Sequence, residues 1–302
     1  MKSHHKALKI GLIGTGFMGK THVYGYATAD RVFDLPYQLE LVTVADVSED
    51  IAQSAAHSLG FKRSTSNWLD LIDDRDLDLI SITSPNEFHK EMAIAALEAG
   101  KHVYCEKPLA PTLQDCHEMV RVAGKSAGKT QVGYNYLSNP MLALARNLIK
   151  SGELGKIISF RGIHIEDYMS DPNSVYTWRH SPVGGGVLAD LGSHILATAE
   201  FLLGPISEVL GDCVTVIPLR KNCEGVTKEI RVDDISRSYL KFNSGVTGNI
   251  EVSWLATGRK MKHDFEINGT LGSISYSQER LNELNFFSKK DKQGFQGFRK
   301  IE

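Results

Sequence analysis

In the stretch GGGVLADLGSH (Gly184–His194), Asp190 and His194 stand four residues apart inside an otherwise apolar helical pattern of Val187, Leu188, Leu191, Ile195 and Leu196. Residues at that spacing share a helix face, so a carboxylate and an imidazole are expected side by side. Imidazole titrates near neutrality and suits the removal of a hydroxyl proton, while the carboxylate orients either the hydroxyl or the ring. The same spacing also suits an internal His–Asp pair that satisfies itself beneath a sheet. A second constellation is CEKP (Cys105–Pro108), where Glu106 and Lys107 follow an apolar run and Pro108 fixes the turn. An ammonium held there would polarise an oxygen as it becomes a carbonyl. Lys107, Asp190 and His194 together meet the needs of hydride removal from an alcohol carbon. Read blandly, the Glu–Lys step is a surface ion pair at a strand end.

A hydride needs an acceptor, and GLIGTGFMGK supplies the signature of one. Gly14, Gly16 and Gly19 form G-x-G-x-x-G between a predicted strand and a predicted helix, the context in which the motif has meaning. The first glycine allows the tight turn, the second lets a pyrophosphate approach the backbone, and the third lets the helix pack on the strand. Phe17 and Met18, inside the motif, would border the same phosphates at the helix N-terminus. Asp46 ends the second predicted strand, where an acid accepts hydrogen bonds from a ribose. It comes later than usual, and ADRVFDLPYQ, with Pro36 as a helix breaker, accounts for the surplus. An aspartate followed by Glu49 and Asp50 repels a 2′-phosphate, so the expected cofactor is NAD rather than NADP; the alternative is a solvated strand-end acid.

The elements that must position these groups fall into two kinds. Residues 1–133 alternate strand and helix patterns: LKIGLI, LELVTVADV, LDLISIT, KHVYCE and KTQVGYNY read as strands, with helical patterns between them. Ser48 is placed as an N-cap and Gly60 and Gly100 as helix stops. Such alternation means βαβ units and a doubly wound parallel Rossmann sheet, beyond whose strand ends TSPNEFH and CEKP fall. From residue 134 onward strand patterns dominate after the helix NPMLALARNLIKSGELG, and NSG (Asn243–Gly245) joins two of them as a hairpin. Residues 134–302 therefore read as an α+β domain with a large, mostly antiparallel open sheet and helices on one face.

Composition narrows the partners. The chain has 302 residues, 42% hydrophobic and 23% charged, with a formal net charge of −2 and no basic block, which disfavours nucleic acid and anionic membranes. No apolar run approaches the ~18 residues of a membrane span, and the N-terminus lacks a signal-peptide layout. His4 and His5 read as a solvated tail. The four cysteines show no C-x-x-C spacing, so we expect reduced thiols in a cytoplasmic protein and no metal site.

Taken together, GLIGTGFMGKTH, ITSPNEFHKEMAIAALEAGKHVYCEKPLA, SGELGKIISFRG and GGGVLADLGSHI resemble the Gfo/Idh/MocA oxidoreductases, from about Leu8 to the end of the chain. E-K-P combined with G-G-G-x-L-x-D-x-G-x-H is far more specific than the glycine fingerprint. Within that family, DPNSVYTWRHSP is similar to dehydrogenases of cyclic polyols and anhydrosugars. The resemblance implies that Lys107 contacts substrate and handles protons, that Asp190 and His194 form the catalytic pair, and that Glu106 lies by the nicotinamide. It places Ser84, Asn86 and His89 near the cofactor and Asn135, Trp178 and Arg179 on the substrate side. It further implies a homodimer or homotetramer formed through the open sheet face, and a C-terminal segment beyond Glu302. Ala197, where relatives often carry aspartate, and Leu137, where many carry arginine, depart from the pattern and bear on substrate identity. Two other functions share these motifs: glycoside cleavage through transient oxidation on a retained NAD, and a non-catalytic NAD-binding sensor.

Overall fold

A computed structural model describes residues 6–302; His4 and His5 lie outside the described residues. The chain divides into two compact units, Met1–Gly133 and Tyr134–Glu302.

The first unit is a six-stranded parallel sheet in the order β3-β2-β1-β4-β5-β6. Its strands are β1 (Lys6–Ile13), β2 (Tyr37–Ala45), β3 (Arg63–Thr65), β4 (Leu79–Ile82), β5 (His102–Cys105) and β6 (Thr130–Val132). The helices are α1 (Phe17–Val32), α2 (Glu49–Leu59), α3 (Leu69–Asp73), α4 (His89–Glu98) and α5 (Leu113–Ala123). Strand order reverses between β1 and β4, the switch point where a doubly wound sheet opens a crevice. Apolar strand centres such as Ile10, Leu12, Val44, Ile80 and Ile82 are fully or almost fully buried, as strands covered on both faces require. The caps follow the sequence: Ser48 Oγ accepts from the Ile51 N–H, and Gly60 ends α2 in the left-handed conformation. Two expectations differ. β3 and α3 have no counterpart in the sequence pattern, and of KTQVGYNY only Thr130–Val132 is strand, with Asn135–Ser138 forming a 3-10 turn.

The second unit carries α6 (Pro140–Lys150) and α7 (Ser193–Leu203) against an eight-stranded sheet. Its strands are β7 (Ile157–Ile165), β8 (Ile206–Val214), β11 (Ile235–Phe242), β12 (Thr247–Ser253), β13 (Lys262–Gly269), β14 (Gly272–Ser277), β15 (Leu284–Ser288) and β16 (Arg299–Ile301), while β9 (Leu219–Lys221) and β10 (Thr227–Glu229) form a separate ribbon. All pairings in the large sheet are antiparallel except β12 with β7. Alternation sets its faces: in β11 every second residue, from Ser236 to Phe242, is buried and the residues between are exposed or half-buried. The inward faces meet Leu142, Ile195, Ala199 and Trp254 in one apolar core.

The motif that opened the analysis is not a plain α-helix. Leu188–Gly192 is a π-helical turn, wider than an α turn, and α7 begins only at Ser193.

Candidate active site

The first unit builds a nucleotide cradle from backbone. Gly14 has φ +92, and a Cβ there would lie 2.9 Å from the Thr83 carbonyl and the Ser84 nitrogen, so loop and β4 end touch with no room for a side chain. A Cβ on Gly19 would stand 2.3 Å from the Gly14 oxygen, which explains the third glycine. Gly16 is different: its Cβ position has nothing within 4 Å. That open space, at an N-cap that offers no side-chain acceptor to the first turn of α1, is what a dinucleotide phosphate needs. Phe17 is exposed and Met18 half-buried at the same end. Asp46 Oδ2 accepts from the Thr15 N–H at 2.7 Å and from the Thr15 hydroxyl, and Oδ1 accepts from the Val47 N–H at 2.7 Å. The carboxylate is therefore tied to the glycine loop and is no freely solvated strand-end acid; Thr15 was not legible as its partner.

Two loops follow β4 and β5. His89 is fully buried and wedged between the two loops, its ring nitrogens 3.0 Å from the Ser84 and Pro108 carbonyl oxygens; a neutral ring donates to one of them. Burial pulls its pKa below the ordinary histidine value. Asn86 is buried at the start of a 3-10 turn, Asn86–Phe88, and Ser84 is half-buried just before it. Glu106 is buried at the end of β5; its carboxylate accepts from His22 Nε2 at 3.0 Å and from the Lys107 backbone N–H at 3.1 Å. Lys107 is half-buried and joined to Pro108 by a cis peptide bond.

The second unit organises the other titratable groups around the wide turn. Its entry is pinned by Asp233, whose backbone oxygen accepts from the Val187 N–H at 2.9 Å and whose Oδ2 accepts from the Leu188 N–H at 2.8 Å. The preceding glycines are sterically required: a Cβ on Gly185 would meet the Ser181 oxygen at 2.3 Å, and one on Gly186, at φ +97, would meet Asp233 Oδ1 at 2.3 Å. Asp190, only 7% exposed, projects from this turn; its Oδ2 accepts from Tyr168 Oη at 2.8 Å and from Arg179 Nε at 2.9 Å. Burial first, then the Asp190 charge, drive the Tyr168 phenol pKa far upward, so Tyr168 stays a donor. The Arg179 guanidinium lies over the Trp178 ring at 4.4 Å, a cation–π contact beside an exposed indole. His194, buried on the same segment, packs its ring 4.4 Å from that of Tyr136 and 5.7 Å from that of His164. Asn135 is exposed at the start of the 3-10 turn that carries Tyr136.

Lys107 thus belongs to the first unit and Asp190 and His194 to the second. Sequence reasoning missed Tyr168, Tyr136, His164 and His22; the only available signal was the inward phase of His164 in the alternating strand KIISFRGIHI. In chemical terms the second unit offers a carboxylate fixed by two donors and an imidazole walled by aromatic rings, and the first an ammonium beside a buried carboxylate. Among the described residues, no group of three or more His, Cys, Asp or Glu is placed to hold a metal ion.

Comparison with known proteins places these features. A family described as "Oxidoreductase family, NAD-binding Rossmann fold" matches residues 8–134, and the Gfo/Idh/MocA C-terminal domain matches residues 142–275. Levoglucosan dehydrogenase of Pseudarthrobacter phenanthrenivorans is 37% identical over 97% of this chain and 80% of its own length. A 1,5-anhydro-D-fructose reductase of Ensifer adhaerens is 32% identical over 87% of this chain and 74% of its own. Among solved structures, levoglucosan dehydrogenase in complex with NADH and levoglucosan superposes with a TM-score of 0.96 at 38% identity, covering 98% of this chain and 80% of that one. With both halves matched and the relatives aligned almost throughout, the chain belongs to the Gfo/Idh/MocA family of oxidoreductases, whose N-terminal half is an NAD-binding Rossmann fold.

Proposed function

We propose that the protein is an NAD-dependent dehydrogenase that oxidises a ring CH–OH of a cyclic sugar or polyol, with an anhydrosugar of the levoglucosan class as its substrate. The observation that carries this reading is the wide turn: a buried carboxylate fixed on one oxygen by Tyr168 and Arg179, followed four residues later by a buried imidazole. The resemblance to levoglucosan dehydrogenase extends through that segment and over 97% of the chain.

Gly14, Gly16 and Gly19 with the first turn of α1 bind the pyrophosphate, and Asp46 receives the adenosine ribose and disfavours a 2′-phosphate. NAD+, when bound, supplies the acceptor for the hydride. Asp190 orients the substrate hydroxyl, and His194 takes its proton at a ring nitrogen. Lys107, by the role the family resemblance implies for it, contacts the substrate, and its ammonium suits an oxygen that gains carbonyl character. Trp178, with Arg179 stacked on it, offers an apolar face for sugar C–H groups, and Asn135 offers an amide to the remaining hydroxyls. Ser84, Asn86, His89 and Glu106 shape the nicotinamide end, His89 wedged between the two loops.

Exposed Leu210 and Tyr239, paired across β8 and β11 on the face opposite buried Leu240, support a homodimer or homotetramer built through this sheet face. The cysteines are free thiols, which supports a cytoplasmic location. Among the described residues no helix is long and apolar enough to cross a membrane.

The test is NAD+ and NADP+ reduction across a panel of anhydrosugars, inositols and aldoses, with wild type and Lys107→Ala. The expected result is net NADH with an anhydrosugar or cyclic polyol, preference for NAD+, and loss of turnover in Lys107→Ala with NAD+ affinity nearly unchanged. Glycoside cleavage without net NADH, or NAD binding with no turnover of any substrate, would overturn the reading.

A further inference from the structure

Behind the E-K-P turn lies a buried polar chain that the mechanism above does not use. His22, on the second turn of α1, has its side chain 4% exposed and Glu106 7%. His22 Nδ1 lies 2.7 Å from Ser81 Oγ and Nε2 lies 3.0 Å from Glu106 Oε1. Tyr26, one turn further along α1, donates its hydroxyl to Ser81 Oγ at 3.2 Å. Burial pushes the Tyr26 pKa up to about 12, so the phenol keeps its proton. The Glu106 carboxylate completes the chain by accepting the Lys107 N–H on Oε2 at 3.1 Å.

The directions of these bonds are set by their ends. A carboxylate only accepts, so the nitrogen facing Glu106 must carry hydrogen. A neutral imidazole then has its lone pair on Nδ1, and the Ser81 hydroxyl donates to it while accepting from Tyr26. The opposite tautomer would aim a nitrogen lone pair at a buried carboxylate oxygen, an uncompensated contact in a low-dielectric interior. Packing allows little escape: the Tyr104 ring stacks on His22 at 4.5 Å, and a Cβ on Gly133 would sit 2.4 Å from Glu106 Oε1. With the ring neutral, the chain runs one way, from Tyr26 through Ser81 and His22 to Glu106.

We propose that His22 is a positioning residue for Lys107. It holds the Glu106 rotamer through Nε2–H, and Glu106 in turn holds the Lys107 backbone N–H, so the helix that begins at the glycine cradle is coupled to the turn that presents the ammonium. The kinetic part rests on the dehydrogenase reading above; the structural part does not.

Two measurements separate them. In the full-length protein with 15N-labelled histidine rings, NMR should find His22 protonated on Nε2 and bare on Nδ1, and in His22→Leu the Lys107 amide should exchange its hydrogen faster. The kinetic comparison uses His22→Leu, which removes both bonds, and His22→Gln, whose amide can still donate to Glu106. With the sugar that wild type turns over best, His22→Leu should lower kcat roughly 10- to 100-fold, as small misplacement of a reacting group does. Its NADH affinity by fluorescence titration should stay close to wild type, and His22→Gln should recover most of the kcat. An Nδ1–H tautomer, unchanged Lys107 amide exchange, wild-type kcat in His22→Leu, or a His22→Gln as impaired as His22→Leu would each overturn the assignment. If wild type turns over no sugar while the tautomer and exchange results hold, the dehydrogenase reading fails and the coupling of His22 to Lys107 stands.

Discussion

Asp190 and His194 occupy one short segment but have different roles in the proposed mechanism, and substitutions should separate them. Asp190 is positioned by two donors on a single oxygen, Tyr168 Oη and Arg179 Nε. Tyr168→Phe deletes one of these and leaves the ring in place. A hydrogen bond to a charged acceptor is worth about 1.5–3 kcal/mol, so kcat/KM for the sugar should fall roughly 10- to 100-fold while NAD+ affinity holds. His194, whose ring packs 4.4 Å from that of Tyr136, takes the proton in the mechanism proposed above. Removing a general base costs on the order of 10²–10⁴-fold, so His194→Ala should lose more kcat than Tyr168→Phe and gain no rescue from higher sugar concentration. Steady-state kinetics on both variants decides it; a His194→Ala enzyme within a few-fold of wild type would remove the imidazole from the proton transfer.

The two glycine turns look alike in sequence and differ in what they exclude. At Gly186 a methyl group would meet Asp233 Oδ1 at 2.3 Å in a backbone with φ +97. Gly186→Ala should therefore destabilise the second unit by about 1–3 kcal/mol, read as a lower urea midpoint, because both the strain and the displaced Asp233 clamp act on the folded state. At Gly16 the backbone has φ −63 and the added methyl meets nothing. Gly16→Ala should leave the urea midpoint unchanged and weaken NAD+ binding, since the methyl takes the space kept for the pyrophosphate. Equal stability loss in both variants would refute this division. The contrast also shows what one-dimensional reading reaches. The long periodic elements, the Ser48 cap, the Gly60 stop and the cradle glycines were legible because their causes lie within a few residues. β3, three residues long, exists because it pairs with Thr43–Ala45 of β2, and no local pattern announces it. The π-helical turn at Asp190 is held by Asp233, and Glu106 is held by His22 from 84 residues away, so their geometry had no signature nearby in the chain.

Buried histidines give the folded chain a common dependence on pH. His89 in the first unit and His180 and His263 in the second all have pKa values lowered from 6.5 chiefly by burial, His263 well below it. His263 is fully buried between Thr198, whose hydroxyl lies 3.1 Å from Nε2, and the rings of Tyr136 and His164. A histidine that stays neutral in the fold but ionises once unfolded lets the unfolded state bind more protons below pH 6.5. Stability contributed by keeping it neutral is therefore complete above that value and is lost as pH falls toward the folded pKa. Asp233, whose pKa burial raises above 3.8, acts in the opposite sense, one group against three. The carboxylates with lowered values, such as Asp115 and Asp167, lose their contribution only in more acid solution. Between pH 7.5 and 5.5 the histidines govern, with a limiting slope of about 1.4 kcal/mol per pH unit for each. Thermal unfolding should accordingly show Tm falling as the buffer is taken from pH 7.5 to 5.5, with both units affected because each holds at least one such histidine. His263→Gln, whose amide can still hydrogen-bond Thr198 and cannot ionise, should flatten that fall. A Tm that is constant or rises over the same interval would mean that these rings take up protons within the folded protein.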